Sequence, residues 1–297
     1  MTADHPYRSP AAFRRTLTDK LKALAATSRW TLAQLQRQMA YDRLLERLYL
    51  LDDAWIVKGA TALLARDIGV RATIDIDIYR ATAREMAEAD LRRAAAADIG
   101  DWFRFEIRAP RPLADTSGVR LPVDAFVGNT VWAAFHVDLV GTGLRMTGEP
   151  EDVPPMARVV MPDVEQHGYR AYPLVDHVAD KVCATFERHG TAAALSTRYK
   201  DLVDLVAIVL AASVKAEPQI AALRSESQRR GLQLPERFAV PDRRLWEPGY
   251  AAEAQRSQLP LARTLNDALV TVGPFLDPLL GGTAHGTWQP QDKRWTP

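Results

Sequence analysis

The sequence predicts an α+β protein, with a sheet-bearing N-terminal domain over residues 1–150 and a mainly helical region over 151–297. Three observations carry that prediction. Between Trp55 and Arg80 the apolar period passes from a short run to helical spacing and then to strict alternation. Around Gly128 and Asn129 two β-rich runs face each other across the residue pair that a tight hairpin favours. From Leu174 onward the apolar residues recur at helical spacing.

Taken in order, the first ten residues, MTADHPYRSP, hold turn formers and few core candidates, so a loose terminus is expected. Phe13, Leu17, Leu21 and Leu24 mark a helix over Ala11–Ala26, and Leu32, Leu35, Met39, Leu44, Leu45 and Leu48 a second over Thr31–Leu51. The charges of the second helix are expected on a solvated face. Trp55 to Val57 is a short strand ending at Lys58 and Gly59, where the chain can turn sharply, and Thr61 stands where the following helix could be capped. After Gly69, Ile74, Ile76 and Ile78 alternate with Asp75 and Asp77, so a strand would bury three isoleucines and present two carboxylates on its other face.

Thr82–Ala97 reads as a helix, Trp102–Ile107 as a strand, and 108–118, punctuated by Pro110, Pro112, Ser117 and Gly118, as a loop. Val119–Val127 and Val131–Val140 form the hairpin strands. On the second, Phe135, Val137 and Leu139 face one way, His136 and Asp138 the other. Residues 141–169 shift to Gly, Pro and charge around Val159–Met161, which marks a boundary. Helices are expected from Leu174, from near Thr197, and over Glu217–Arg230, Leu245–Ser257 and Leu261–Leu280. The tail from Gly281, with Trp288 and Trp295, is expected to be partly disordered.

Composition narrows the function classes. Across 297 residues the formal net charge is +1, so no global basic field announces a nucleic acid and any RNA contact must be local. Arg224, Arg229, Arg230, Arg237, Arg243 and Arg244 form the one basic concentration, suited to RNA phosphates or simply to solubility. The single Cys183 excludes an internal disulfide and a cysteine-based metal cluster, and its apolar helical setting makes it a core residue. No apolar run is long enough to span a bilayer and no leader is recognisable, which predicts a cytoplasmic protein without a membrane partner.

The chemistry lies in the acids. Neighbouring carboxylates repel unless a cation joins them, and hard oxygen ligands suit magnesium; a solvated edge strand would show the same alternation. Lys181 alone would be a solvated helix lysine, and Arg198, Asp201 and Asp204 alone would be helix ion pairs.

Four ordered blocks, however, give the chain a resemblance over about Leu44–Ala212. They are Lys58-Gly59-Ala60-Thr61-Ala62-Leu63, Thr73-Ile74-Asp75-Ile76-Asp77-Ile78, Asp180-Lys181, and Arg198-Tyr199-Lys200-Asp201-Leu202-Val203-Asp204. Together they resemble the nucleotidyltransferases typified by the AbiEii/AbiGii toxins, including the MenT-type toxins. Where the wider superfamily usually has Gly-Ser at the turn, Ala60 follows Gly59 and Thr61 supplies the nearest hydroxyl.

The resemblance implies a nucleotidyltransferase-like mixed sheet with flanking helices, joined to a helical C-terminal region with the active site between them. It implies a metal-dependent, pyrophosphate-releasing transferase in which Asp75, Asp77 and Asp138 hold magnesium in a two-metal site. Lys58, Gly59, Thr61 and Lys181 would bind the nucleoside triphosphate. Asp75, Asp77, Lys181 and Asp201 would be catalytic, with Asp201 favoured over Asp204. A pyrimidine donor such as CTP, the 3′ end of tRNA as acceptor and a cognate antitoxin as partner follow from the same likeness. Two further readings stay open: transfer to a protein or small-molecule hydroxyl, and a non-catalytic nucleotide-binding module.

Overall fold

The computed structural model describes residues 6–69, 72–113, 118–157, 159–162, 164–190, 193–257, 259 and 261–297. Residues 1–5 of the loose terminus expected over 1–10, and residues 114–117 of the expected loop, lie outside them, while Ser9 caps the first helix at Pro10. The chain forms two compact units: 1–66, 73–144 and 152–171 make the first, and 67–72, 145–151 and 172–297 the second. The expected cut at 150 differs from this because Tyr169–Ala171 adds a strand to the first unit's sheet.

In the first unit, helices α1 (Pro10–Thr27) and α2 (Leu32–Leu51) precede strand β1 (Trp55–Lys58), helix α3 (Gly59–Ala65), strand β2 (Asp75–Arg80) and helix α4 (Arg84–Ala95). There follow β3 (Phe103–Ile107), β4 (Arg111–Pro112), β5 (Val119–Val127), β6 (Thr130–Val140), β7 (Glu151–Val153) and β8 (Tyr169–Ala171). The sheet runs β3-β5-β6-β2-β1-β8-β7, with β4 beside β5. Because β2 and β6 are parallel, β1 and β8 are parallel, and β1–β2, β3–β5 and β5–β6 are antiparallel, the sheet is mixed. The core joins Phe13, Leu17, Met39, Leu44, Leu48, Val57, Ile76, Val137 and Leu139. Helix α2 is well started, since Thr31 and Gln34 cap each other's backbone amides reciprocally.

Some expectations give way here. Ile76 and Ile78 are buried, but Ile74 precedes the strand proper and is half exposed. Thr61 does not cap α3: that helix begins two residues earlier, at Gly59. The expected loop over 108–118 contains β4, which extends the edge of β5. Nor are the charges of α2 on a solvated face. Asp42, Arg43, Glu46 and Arg47 are all buried, because Met156, Ala157, Glu165, His167 and Asp101 bond to them. Asp101 takes Arg43 Nε at 2.6 Å and Arg47 Nη2 at 2.7 Å. Burial alone would raise the Asp101 carboxyl, yet the two guanidinium groups hold it below its ordinary range. Asp42 accepts the amides of Met156 and Ala157, and burial still pushes its carboxyl up to about 7.

The second unit comprises α5 (Leu174–Phe186), the short pair β9 (Arg188–His189) and β10 (Ala194–Leu195), α6 (Tyr199–Ala211), β11 (Val214–Lys215), α7 (Ala216–Arg230), α8 (Arg243–Arg256), α9 (Leu265–Leu280), β12 (Thr287–Gln289) and β13 (Arg294–Thr296). The tail is ordered: β11, β12 and β13 form a sheet in which Trp288 is fully buried. Trp288 donates to the Val209 carbonyl at 2.9 Å, and Trp295 stacks on Phe275. The two tryptophans fasten what its Gly, Pro and polar neighbours would leave loose. The basic concentration is partly neutralised too, since Arg229 pairs with Glu226 and Arg230 is held by Glu226, Glu187 and Asp180. Cys183 is buried and its thiol is pushed up to about 12, which suits a core residue. Among the described residues no helix is long and apolar enough to cross a membrane.

Candidate active site

One group of candidate residues starts at the end of β1. Gly59 has φ +62°, a left-handed conformation that costs a side-chain-bearing residue strain, and it turns the chain from β1 into α3. Because β1 pairs antiparallel with β2, Lys58 stands opposite Asp77. The Asp77 carboxylate lies so close to the turn that a Cβ on Gly59 would come within 1.8 Å of Asp77 Oδ2. Glycine is therefore needed twice, for its backbone and for its bareness.

The backbone of β2 is fastened from behind. Thr61, buried in α3, donates its hydroxyl to the Asp75 carbonyl at 3.1 Å, as does Thr73. Tyr41 in turn donates to the Thr73 carbonyl at 3.0 Å. The Thr61 hydroxyl is thus committed to positioning β2, and the exposed side of the turn consists of Lys58 and the Gly59 backbone.

Parallel pairing of β2 with β6 sets Asp75 beside His136 and Asp77 beside Asp138. Paired residues of adjacent strands point to the same face, so the acids Asp75, Asp77 and Asp138 share one face with His136. His136 Nδ1 lies 3.2 Å from Asp75 Oδ1. Strand β5 adds a residue that no motif pointed to: Arg120, opposite Asp138, donates from Nε and Nη2 to the two Asp138 oxygens at 2.7 Å each. The same guanidinium is 3.5 Å from Asp75 Oδ1.

Whether this face fits a metal is a question about donors. Three carboxylates on one face are the hard oxygen set that a magnesium-sized ion prefers. Among the described residues no three acidic, imidazole or thiol side chains are gathered closely enough to hold an ion, and Arg120 already takes both Asp138 oxygens. The donor chemistry suits a divalent cation, while both Asp138 oxygens are engaged by Arg120.

A separate cluster of candidate residues lies within the other unit. Lys181 on α5 is buried and held between Asp201 Oδ1 at 3.1 Å and Asp204 Oδ2 at 2.7 Å, both on α6. Arg198 Nε closes on the second Asp201 oxygen at 2.5 Å. Burial would lower Lys181, but Asp204 and Asp201 more than offset it and hold the ammonium above its ordinary value. Likewise burial would raise Asp201, while Lys181 and Arg198 hold it below the usual carboxylate range. Lys181 is therefore charged and immobile rather than a solvated helix lysine. Asp201 and Asp204 both touch it, so the distinction drawn between them from the family blocks has no counterpart in contact alone. Asp180, its neighbour in sequence, faces elsewhere and pairs with Arg230 at 3.3 Å.

Comparisons bear on this arrangement. A family model described as "Nucleotidyl transferase AbiEii toxin, Type IV TA system" matches residues 43–272. No curated protein is a significant match in sequence. Among solved structures, MenT4, a nucleotidyltransferase toxin from Mycobacterium tuberculosis H37Rv, superposes with a TM-score of 0.50 at 14% identity, covering 91% of this chain and 98% of that one. JHP933 from Helicobacter pylori is more distant, with a TM-score of 0.41 at 16% identity over 83% of this chain and 89% of that one. At such identities the MenT4 likeness speaks for the fold, a mixed sheet flanked by helices. The family match spans most of the chain and includes the turn, the acidic face, the Lys181 cluster and the chain that follows as far as residue 272. This chain belongs to the AbiEii family of nucleotidyltransferase toxins from type IV toxin–antitoxin systems, and it is a nucleotidyltransferase.

Proposed function

We propose that this chain transfers a nucleoside monophosphate from a triphosphate, with CTP or another pyrimidine nucleotide as donor, to the 3′-terminal hydroxyl of tRNA, and that a cognate antitoxin restrains it in the cytoplasm. The observation that supports a metal-dependent transfer is the common face of Asp75, Asp77 and Asp138 beside the Lys58-Gly59 turn.

Asp75 and Asp77 would hold a divalent cation, with Asp138 completing the set for a second. Such ions neutralise the triphosphate and the charge that develops during in-line displacement. Lys58 and the Gly59 backbone bind the phosphates, while Thr61 and Thr73 keep the Asp75 backbone in place for them. The acceptor hydroxyl oxygen forms a bond to the α-phosphorus, the bond from that phosphorus to the β-phosphate oxygen breaks, pyrophosphate leaves, and the hydroxyl proton passes to solvent. For Lys181 and Asp201 the support is their match to the family blocks and the buried, fully charged cluster that they form with Asp204 and Arg198. We assign that cluster a role in transfer, with Lys181 supplying fixed positive charge. Transfer of this kind would block aminoacylation or its use and so arrest growth.

The test is incubation of purified protein with each α-labelled triphosphate, total tRNA and magnesium. Label is expected on tRNA, from CTP or UTP more than from ATP or GTP, and not with Asp75→Asn. Label on tRNA that survives Asp75→Asn refutes the metal site. Label appearing without RNA, on protein or on an added small hydroxyl compound, moves the acceptor to the other class, and no label with any acceptor leaves a non-catalytic module.

A further inference from the structure

Arg120 is a strong charge held directly against the acidic cluster that neither the motifs nor the proposed chemistry has used. Its fork takes both Asp138 oxygens at 2.7 Å, and Nη2 reaches to 3.5 Å from Asp75 Oδ1. It therefore sits among the carboxylates where a cation would sit. Both arms of the guanidinium take the lone pairs on the side of Asp138 that they face, so a cation approaching from that side must compete with Arg120 for the same oxygens. On that side Arg120 and a divalent ion compete for one place.

The surroundings favour exchange over a permanent bond. The Arg120 side chain is 38% exposed and that of Asp138 only 11%, so the guanidinium has solvent beside it and the carboxylate has little. A guanidinium fork matches phosphate oxygens as well as it matches carboxylates. Three acids on one face also need a counter-charge whenever no metal is bound, since like charges so placed disfavour the folded sheet. His136 lies against Asp75, at 3.2 Å, and Lys58 stands opposite Asp77, so Arg120 is the cation held against Asp138.

We propose that Arg120 is the resident counter-ion of the acidic face, displaced when a divalent cation arrives with the triphosphate and then paired with the triphosphate's own oxygens. This rests on the transferase reading and adds an order to it. Free metal competes with Arg120 and binds weakly. Metal together with triphosphate binds well, because the phosphates give the displaced guanidinium a new partner. Cation and nucleotide are then positively coupled, each removing an obstacle to the other.

Manganese provides the probe. Titration of nucleotide-free protein, followed by calorimetry and by the paramagnetic signal of free Mn2+, should show at least tenfold tighter binding to Arg120→Gln than to the wild type. With a triphosphate whose α–β bridging oxygen is replaced by methylene, the factor by which nucleotide tightens Mn2+ should fall at least tenfold in the variant. Equal or weaker Mn2+ binding by a folded Arg120→Gln overturns the inference. A measurement on the wild type needs no variant to fold: the Arg120 Nε–H resonance of protein labelled with 15N-arginine should shift on adding Mg2+ with the analogue and stay put with Mg2+ alone. A resonance unmoved by both together also overturns it. Failure here leaves the function intact if tRNA is still labelled in the presence of Mg2+. If Arg120→Gln tightens Mn2+ as expected but no acceptor is ever labelled, the counter-ion stands and the transferase chemistry assigned to this site falls.

Discussion

Replacing Gly59 by alanine tests how the turn and the acids depend on each other. Gly59 holds φ +62°, where an alanine pays roughly 1–2 kcal/mol. The added Cβ would stand 1.8 Å from Asp77 Oδ2 and 2.7 Å from its Cγ, well inside van der Waals contact. The carboxylate is the far end of a short side chain, so it can rotate away, but only by moving about 1 Å or more from the place it holds on the acidic face. Misplacement on that scale costs about 100-fold in rate when the group orients a reacting centre. The expected outcome is a split: Gly59→Ala remains folded, losing about 1–2 kcal/mol of stability by urea unfolding, while label transfer to tRNA falls about 100-fold or more. Gly128→Ala is the control. Gly128 has φ +59° in the hairpin turn, and its added Cβ would meet Pro10 rather than an acid. It should lose comparable stability and keep its transfer rate. If Gly59→Ala transfers label within about threefold of the wild type while folded, the close approach of Asp77 to the turn has no catalytic consequence and the reasoning fails.

Lys181→Met removes the charge between Asp201 and Asp204 and leaves two buried carboxylates facing each other, so a loss of about 3–5 kcal/mol is expected by urea unfolding. Lys181→Arg should recover stability. If it recovers transfer equally, the cluster's contribution to transfer follows its charge; if it recovers stability alone, Lys181 must be placed as an ammonium. Asp101→Ala strands Arg43 and Arg47 in the core of the first unit and should cost about 3–5 kcal/mol, read from the same unfolding curves. Asp42 gives a pH dependence with a definite sign. Its carboxyl is raised from near 3.8 to about 7 by burial, so the folded state holds that proton more tightly than the unfolded chain. Its contribution to stability is full below about pH 4 and is lost as pH rises toward 7. Unfolding free energies measured across that window should fall less steeply in Asp42→Asn.

Much of the architecture is legible in local pattern. Alternation in Ile74-Asp75-Ile76-Asp77-Ile78 and in Phe135-His136-Val137-Asp138-Leu139 states which side chains leave each strand on the same side, and Gly128-Asn129 states that the second of these strands closes a hairpin. The Lys58-Gly59 turn announces itself by its glycine. These are properties of a few neighbouring residues, so reading them needs no knowledge of the rest of the chain.

What lay beyond local pattern has a common cause: it depends on which elements end up adjacent. The charges of α2 look like a solvated face until Met156, Ala157, Glu165, His167 and Asp101 are brought against them. The tail looks loose until Trp288 finds the Val209 carbonyl. Lys181 looks like a surface lysine until α6 brings two carboxylates to it.

Arg120 is the sharpest case. Counting back from the turn, Val127 pairs with Thr130 and Phe126 with Val131, which would place Arg120 opposite Val137. A bulge between Ala125 and Phe126 shifts the register by one residue and sets Arg120 opposite Asp138. The periodicity of the sequence by itself determined which acids could share a face and where the chain must turn. Only the tertiary structure decided the counter-charges those acids meet, because a strand's alternation is set by its own backbone, whereas register and burial are set by residues far away in the chain.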